Sequence, residues 1–316
     1  MTLVSIIVPM YNAEAFISAT LASILQERDI PLEVVVVNDG STDASLERVC
    51  ATNDKRVRVI QGPCQGIAPA LNAGVAVACG EIIMRCDADD LYPPQRIARQ
   101  VDWLSKHPEF GVVCGGFSTI DVKGRAIISF NNREDAQEIT EELCNGITRT
   151  HLCTFAVRAE VLRSSGGCRQ YFHTAEDIDL QLRLGELCRV WYVPDIQYNY
   201  RLHDTSITHR QSNVEREFFE SMAREFQRQR RSQGSDDLQR GCPPTPPQGS
   251  TRSAMKTAEH TQGLLMGSAW QEHQSGHKQQ ALAIGIRSVI AQPSNIAAWR
   301  SLLALAVKPA GKGFVP

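Results

Sequence analysis

The sequence predicts an α/β protein with a mainly parallel central sheet flanked by helices. Three observations carry that expectation. The first half alternates short β-branched apolar runs with helical spacings of 10–15 residues, the pattern of βαβ units. The 316 residues are 42% hydrophobic and 22% charged, the balance of a soluble globular enzyme with enough chain to bury a core. No apolar run approaches the length of a spanning helix, and the N-terminus lacks the basic-then-apolar order of a secretory signal.

Strands are expected at Val4–Val8, Glu33–Val37, Val57–Ile60 and Ile82–Arg85. Helices are expected at Ala13–Leu25, Pro69–Ala78 and Pro94–Ser105. Beyond residue 110 the spacing predicts strands at Gly111–Phe117, Ala126–Phe130, Val190–Val193 and Gln197–Leu202, and helices at Ala136–Cys144, Glu176–Leu187 and Val214–Arg231. The Pro/Gly-rich stretch 233–253 reads as a linker. Three helical runs follow. The domain organisation is then a catalytic domain over 1–210, an amphipathic helix over 211–232, the linker, and a small helical extension over 254–316.

Net charge is −2, and no nucleic-acid partner is expected. Residues 251–316 hold seven Lys/Arg against two Asp/Glu, a balance of +5, on a body that holds 26 against 33, a balance of −7. Such a tail either solvates its helices or meets an anionic membrane surface. The ten cysteines form no CxxC pair or zinc-like quartet. They read as reduced thiols, mostly small buried fillers, which places the chain in the cytoplasm.

Parallel sheets bind ligands beyond the carboxyl ends of their strands. Three of those loops are polar. Pro9, Met10, Tyr11 and Asn12 follow the first strand, Asn38-Asp39-Gly40-Ser41-Thr42-Asp43 the second, and Asp87-Ala88-Asp89-Asp90 the fourth. Asp39-Gly40-Ser41 could be a turn with Thr42 capping a helix, and Tyr11 a core-edge aromatic. The aspartates repel one another unless something neutralises them. Strand alternation lets Asp87 and Asp89 lean to one side, where Mg²⁺ or Mn²⁺ would bridge them to a diphosphate; the plain alternative is a solvated acidic turn. No Gly-rich phosphate cradle follows the first strand.

Thr174-Ala175-Glu176-Asp177 fits a capping box, with Asp177 only capping. It also fits a carboxylate, Asp177 or Glu176, at the site rim as a general base. Spacing does not separate the two. Arg201 and His203 alternate onto one face and could meet phosphates or the metal, although a lone His is more often structural; the same discount applies to His173.

Taken in order, residues 4–12, 36–43, Ala70-Leu71-Asn72-Ala73-Gly74, Asp87–Asp90, Glu176–Leu180 and Tyr200–His203 resemble family 2 glycosyltransferases of the GT-A fold, over about residues 3–210. The resemblance implies inverting, non-processive transfer from a nucleoside-diphosphate sugar, a UDP-sugar being favoured, to a glycan or lipid-linked hydroxyl acceptor in cell-surface polysaccharide or lipopolysaccharide synthesis. It implies nucleotide contacts at Pro9, Tyr11, Asn12, Asp39 and Asp87, and a divalent metal (Mn²⁺ or Mg²⁺) at Asp89 with His203. Asp177 is the implied catalytic base, with Arg201 and Glu176 on the diphosphate or acceptor side. The QxxRW motif and membrane helices of processive members are missing from this sequence. Rival readings are an inactive sugar-nucleotide binder or scaffold, a nucleotidyltransferase, which would want a Gly-rich basic loop at 9–14, and an aspartyl phosphohydrolase. The helical extension lies outside the resemblance. Its Ala-rich pattern with Pro293 and Trp299 is faintly similar to one tetratricopeptide hairpin, a unit that needs neighbours to bury its faces.

Overall fold

The computed structural model describes residues 2–130, 135–204, 213–247 and 257–311. These fall into two compact units. The first comprises Met1–Ser118, Ser129–Arg201 and Asn213–Ser250; the second Thr119–Ile128, Leu202–Ser212 and Thr251–Pro316.

In the first unit the apolar runs pair as parallel strands. β1 (Val4–Met10) lies between β2 (Leu32–Asn38) and β4 (Ile82–Arg85), with β3 (Val57–Gln61) outside β2. The sheet continues through β8 (Ala156–Arg158), β5 (Phe110–Ile120), β9 (Arg189–Arg201) and β7 (Gln137–Glu138), while β6 (Ala126–Phe130) pairs with β5. β8 is antiparallel to both β4 and β5. The result is a mixed sheet whose parallel part is built by the first half of the chain.

Strand alternation divides the core between the two faces. Ile6, Val8, Val34 and Val36 pack with Ile17, Leu21 and Ile24 of α1 (Ile17–Leu25) and Ile97 and Leu104 of α4 (Arg96–Lys106). Ile7, Val35, Val37 and Ile83 pack with Leu71 of α3 (Ile67–Val77) and Leu180 and Leu184 of α7 (Glu176–Leu187). α3 comes so close to β1 that a Cβ on Gly74 would stand 2.4 Å from Cγ2 of Ile7, which is why glycine is needed there. The remaining short helices are α2 (Ser45–Ala51), α5 (Thr140–Cys144) and α6 (Ala159–Ser164). Helix α8 (Asn213–Gln233) packs Phe219 and Phe226 against Phe172 and Leu182.

Several local expectations are corrected. The helix expected at Ala136–Cys144 is strand β7 followed by α5. Gln137 and Glu138 pair with Tyr192 and Trp191 at the sheet edge, which removes the first turn from the helix. The two strands expected at 190–193 and 197–202 are one, β9, running through Pro194. β7 pairs only as far as Tyr192, so the missing N–H of Pro194 breaks no ladder bond on that side. Helix α1 starts at Ile17, since Ala13 to Phe16 form a turn in which the Phe16 N–H donates to the Ala13 carbonyl. All ten cysteines are free, and Cys86, Cys114, Cys153 and Cys168 are buried. Cys50, Cys64, Cys79 and Cys242 are exposed, so burial explains only part of the set.

The described part of the Pro/Gly-rich stretch is anchored. Asp236 is fully buried and accepts from Arg169 and Arg230 at 2.6 Å each. The Tyr171 hydroxyl donates to the Pro244 carbonyl at 2.7 Å. Composition predicts flexibility there; the buried charges of neighbouring elements demand a partner and fix it.

In the second unit, α9 (Thr257–Gln274), α10 (Lys278–Ala291) and α11 (Ile296–Val307) pack through Leu265, Ala269, Ala281, Val289, Ala298 and Leu305. Among the described residues no helix is long and apolar enough to cross a membrane.

Candidate active site

Because β1, β2 and β4 are parallel, the loops after Met10, Asn38 and Arg85 leave from one edge. The first two loops are tied together. Asn12 is left-handed (φ 49°), donates from its N–H to Ser41 Oγ (3.1 Å), and accepts from the Thr42 N–H (2.8 Å) through Oδ1. Part of its polar capacity is therefore spent on positioning the loops. Helix α2 begins at Ser45 without a side-chain cap, so Thr42 does not cap it. Pro9 sits in β1 opposite Val37. Tyr11 is 56% exposed at the edge, a position open to a ligand and outside the core.

Asp39 is nearly buried, and its two carboxylate oxygens accept from the backbone N–H groups of Cys64 (2.7 Å) and Gly66 (2.9 Å). The loop after β3 thus fixes the carboxylate. It packs so tightly that a Cβ on Gly62 would lie 2.6 Å from Asp39 Oδ1.

The acidic turn after β4 is internally divided. Asp87 forms a two-point pair with Arg85, Nε to Oδ1 at 2.7 Å and Nη2 to Oδ2 at 3.2 Å. Burial opposes its ionisation, and Arg85 overrides that and holds it below the usual carboxylate range. Asp90 is fully buried, accepting from the Tyr198 hydroxyl and the Arg201 N–H at 2.6 Å each. Burial, with Asp89 and Asp87 nearby, pushes its pKa well up. Tyr198 also accepts from the Asp87 N–H at 3.0 Å. Asp90 and Tyr198 therefore brace the turn from beneath, and Asp89, between Asp87 and Asp90, is half-buried. Arg201 is buried, donates from Nε to the Asp89 carbonyl (2.6 Å), and lies over the Phe16 ring at 5.1 Å. His203 is buried in the second unit.

Helix α7 starts at Glu176, and its N-cap is Ala175 in the left-handed region (φ 61°) with no side-chain cap. The capping box is thus overturned: Thr174 stands one residue too early to close it. Nor is Glu176 at an open rim. It is 7% exposed, and its Oε1 accepts from Arg85 Nη1 at 3.2 Å. Burial pushes its pKa up to about 7, Arg85 opposing and Asp177 reinforcing. Asp177 is half-exposed at the positive end of the helix. The next acid, Asp179, is fully buried and paired with Arg169 and Arg183. It anchors the helix rather than facing the site.

Arg85, His151, Cys153 and Tyr198 were not singled out from sequence. Arg85 is a cation ending a buried apolar strand directly before the acidic turn, a signal that could have been read. His151 stacks on Tyr198 at 6.0 Å, and its Nδ1 accepts from the Cys153 N–H. Burial lowers its pKa, against the upward pull of Asp177 and Asp87. It is thus an electrostatic neighbour of both carboxylates. The Cys153 thiol donates to Asp87 Oδ2 at 3.6 Å.

No trio of His, Cys, Asp or Glu among the described residues forms a protein-only metal cage. Both Asp87 oxygens are engaged by Arg85, so a small divalent cation on this turn fits Asp89, a hard oxygen donor, with substrate phosphates and water completing its shell.

Residues 5–166 match the family described as glycosyl transferase family 2. The chain belongs to that family. It is 32% identical over 209 residues to a chondroitin synthase of Pasteurella multocida (strain Pm70), covering 65% of this chain and 21% of that protein. It is 32% identical over 192 residues to the putative glycosyltransferase EpsE of Bacillus subtilis, covering 58% and 66%. This family 2 chain therefore spans about a fifth of the length of the chondroitin synthase, and likewise of a Pasteurella multocida hyaluronan synthase. Among solved structures, S. aureus TarS 1-349 in complex with UDP-GlcNAc superposes with a TM-score of 0.59 at 18% identity, over 97% of this chain and 92% of that one. Mannosyltransferase PcManGT from Pyrobaculum calidifontis, in complex with GDP-Man and Mn²⁺, gives 0.52 at 21% identity, over 96% and 79%. At such identities the likeness is one of fold, the GT-A arrangement of this glycosyltransferase family.

Proposed function

We propose that this chain is an inverting glycosyltransferase that moves one sugar from a nucleoside-diphosphate sugar, a UDP-sugar being favoured, to a hydroxyl of a glycan or lipid-linked acceptor. Cell-surface polysaccharide or lipopolysaccharide assembly is the setting that the family suggests. The observation that carries the reading is the pairing of Arg85 with both Asp87 and Glu176. It ties the acidic turn to the start of α7, which supports reading their carboxylates as parts of one site.

In this reading Tyr11 and Asp39 receive the nucleobase, with Pro9 and Asn12 shaping the pocket, and Asp87 meets the ribose. Asp89 would hold Mn²⁺ or Mg²⁺. The cation, when bound, offsets charge on the diphosphate. Arg201 adds a fixed positive charge on the same side. Asp177 takes the proton of the acceptor hydroxyl. Its partial exposure at the start of the helix leaves it reachable. Glu176 does not compete for that role, because it is buried against Arg85.

Asp177→Asn tests the reading. Transfer should fall by about 10² or more, while nucleotide binding and the melting temperature stay close to the wild type. Near-normal turnover in a folded Asp177→Asn protein would remove Asp177 as the base.

A further inference from the structure

The second unit closes its own core and leaves an apolar stripe outside it. Ala298 and Leu305 of α11 are buried, and Gly285 of α10 lets Leu302 and Leu305 approach closely. On the opposite side of α11, Ile296, Trp299, Leu303 and Val307 recur at i, i+3, i+7 and i+11, which is one face of a helix. Ile286 and Ile290 form the same kind of pair on α10. These six side chains are between 50% and 74% exposed. Isolated exposed apolar residues need no explanation, but a face of them does.

The charge around the stripe has one sign. From Lys278 to Gly311 the chain contains Lys278, Arg287, Arg300 and Lys308 and no Asp or Glu. Arg300 and Lys308 are exposed directly beside Trp299 and Val307. The indole N–H of Trp299 donates to the Pro293 carbonyl at 2.9 Å, so the ring's polar edge is satisfied within the chain. An apolar stripe with an aromatic ring and cations without compensating acids is the chemistry of a helix that lies in a lipid interface. The anionic headgroups complement the cations, while the acyl boundary takes up the stripe.

We infer that the outer face of α10 and α11 docks on an anionic phospholipid surface. The inference rests on the second unit alone and is independent of the glycosyltransferase reading. Docking of this kind holds the second unit at a membrane surface. It is a surface contact, reversible and salt-sensitive.

Flotation of the full chain with vesicles tests it. The chain should rise with phosphatidylglycerol-containing vesicles at low salt, stay down with pure phosphatidylcholine, and be released by high salt. Leu303→Glu and Ile296→Glu, both at exposed positions, should each weaken vesicle binding by about tenfold, with nucleotide binding and melting temperature unchanged. A folded chain that ignores anionic vesicles at low salt would overturn the inference, as would Leu303→Glu binding as well as the wild type. Self-association by light scattering that Leu303→Glu abolishes, without vesicle binding, would assign the face to a second copy of the chain instead.

Discussion

Arg85 and Glu176 are 91 residues apart in the chain and meet at 3.2 Å, Nη1 to Oε1. The same guanidinium holds Asp87 at 2.7 Å through Nε. Only a planar, multiply donating cation can face two carboxylates in this way, so lysine is no substitute. The ends of β4 and α7 are thereby fixed to each other. Asp87 and the neighbour of Asp177 share one positive charge, and neither half of the candidate site is electrostatically independent.

Glu176 makes stability pH-dependent with a definite sign. Its pKa rises from an ordinary 4.5 to about 7 in the folded chain, chiefly through burial. Between those values the native state keeps a proton that the unfolded chain has released. The associated stability is complete below about pH 4.5 and declines as pH rises toward 7. Glu176→Gln should flatten this part of the profile, a difference on the order of 2 kcal/mol between pH 5 and 7.5. Denaturant unfolding of both proteins across that range checks it, and parallel profiles would contradict the assignment.

Gly62→Ala should act on nucleotide binding without touching the metal. The added Cβ would meet Asp39 Oδ1 at 2.6 Å and Asp39 Cα at 3.0 Å. The carboxylate would then turn off the Cys64 and Gly66 N–H groups. Nucleoside-diphosphate affinity should drop by about tenfold, with the same relative response to Mn²⁺ as the wild type, measured by calorimetry.

Asp236→Ala removes the shared partner of Arg169 and Arg230, while Arg169 keeps Asp179 and Arg230 keeps Glu186. Losing these buried charge-assisted hydrogen bonds costs about 1–3 kcal/mol. The melting temperature should fall accordingly, and nucleotide affinity measured well below that temperature should hold. An Asp236→Ala chain as stable as the wild type would show that the 233–247 segment is not an anchor.

Much of the fold was legible because burial on both faces leaves a strong signature. β1, β2 and β4 are apolar runs that need no context to recognise. β8 escaped because three residues carry no periodicity. Capping went wrong at Thr174 because Ala175, not Thr174, breaks the helical geometry, and a left-handed alanine has no sequence signal. The polar loops at one sheet edge could be read from strand ends alone. What they touch could not: Tyr198 and Asp90 meet across 108 residues, and Arg85 reaches Glu176 across a similar gap. Such contacts belong to topology, which local spacing does not encode. The same holds for Asp236, whose Pro/Gly-rich setting hides a buried ion pair.

The central claim, a metal-assisted nucleotide-sugar site at the β1, β2 and β4 edge, is tested most directly by calorimetric titration of the full chain with UDP and GDP, with and without Mn²⁺. The account predicts that one nucleoside diphosphate binds, UDP being favoured. Its affinity should rise by at least about tenfold with the metal, and Asp89→Ala should abolish that rise. If neither diphosphate binds in the presence of Mn²⁺ while the chain is folded, the transferase reading fails, and a scaffold built on the same fold takes its place.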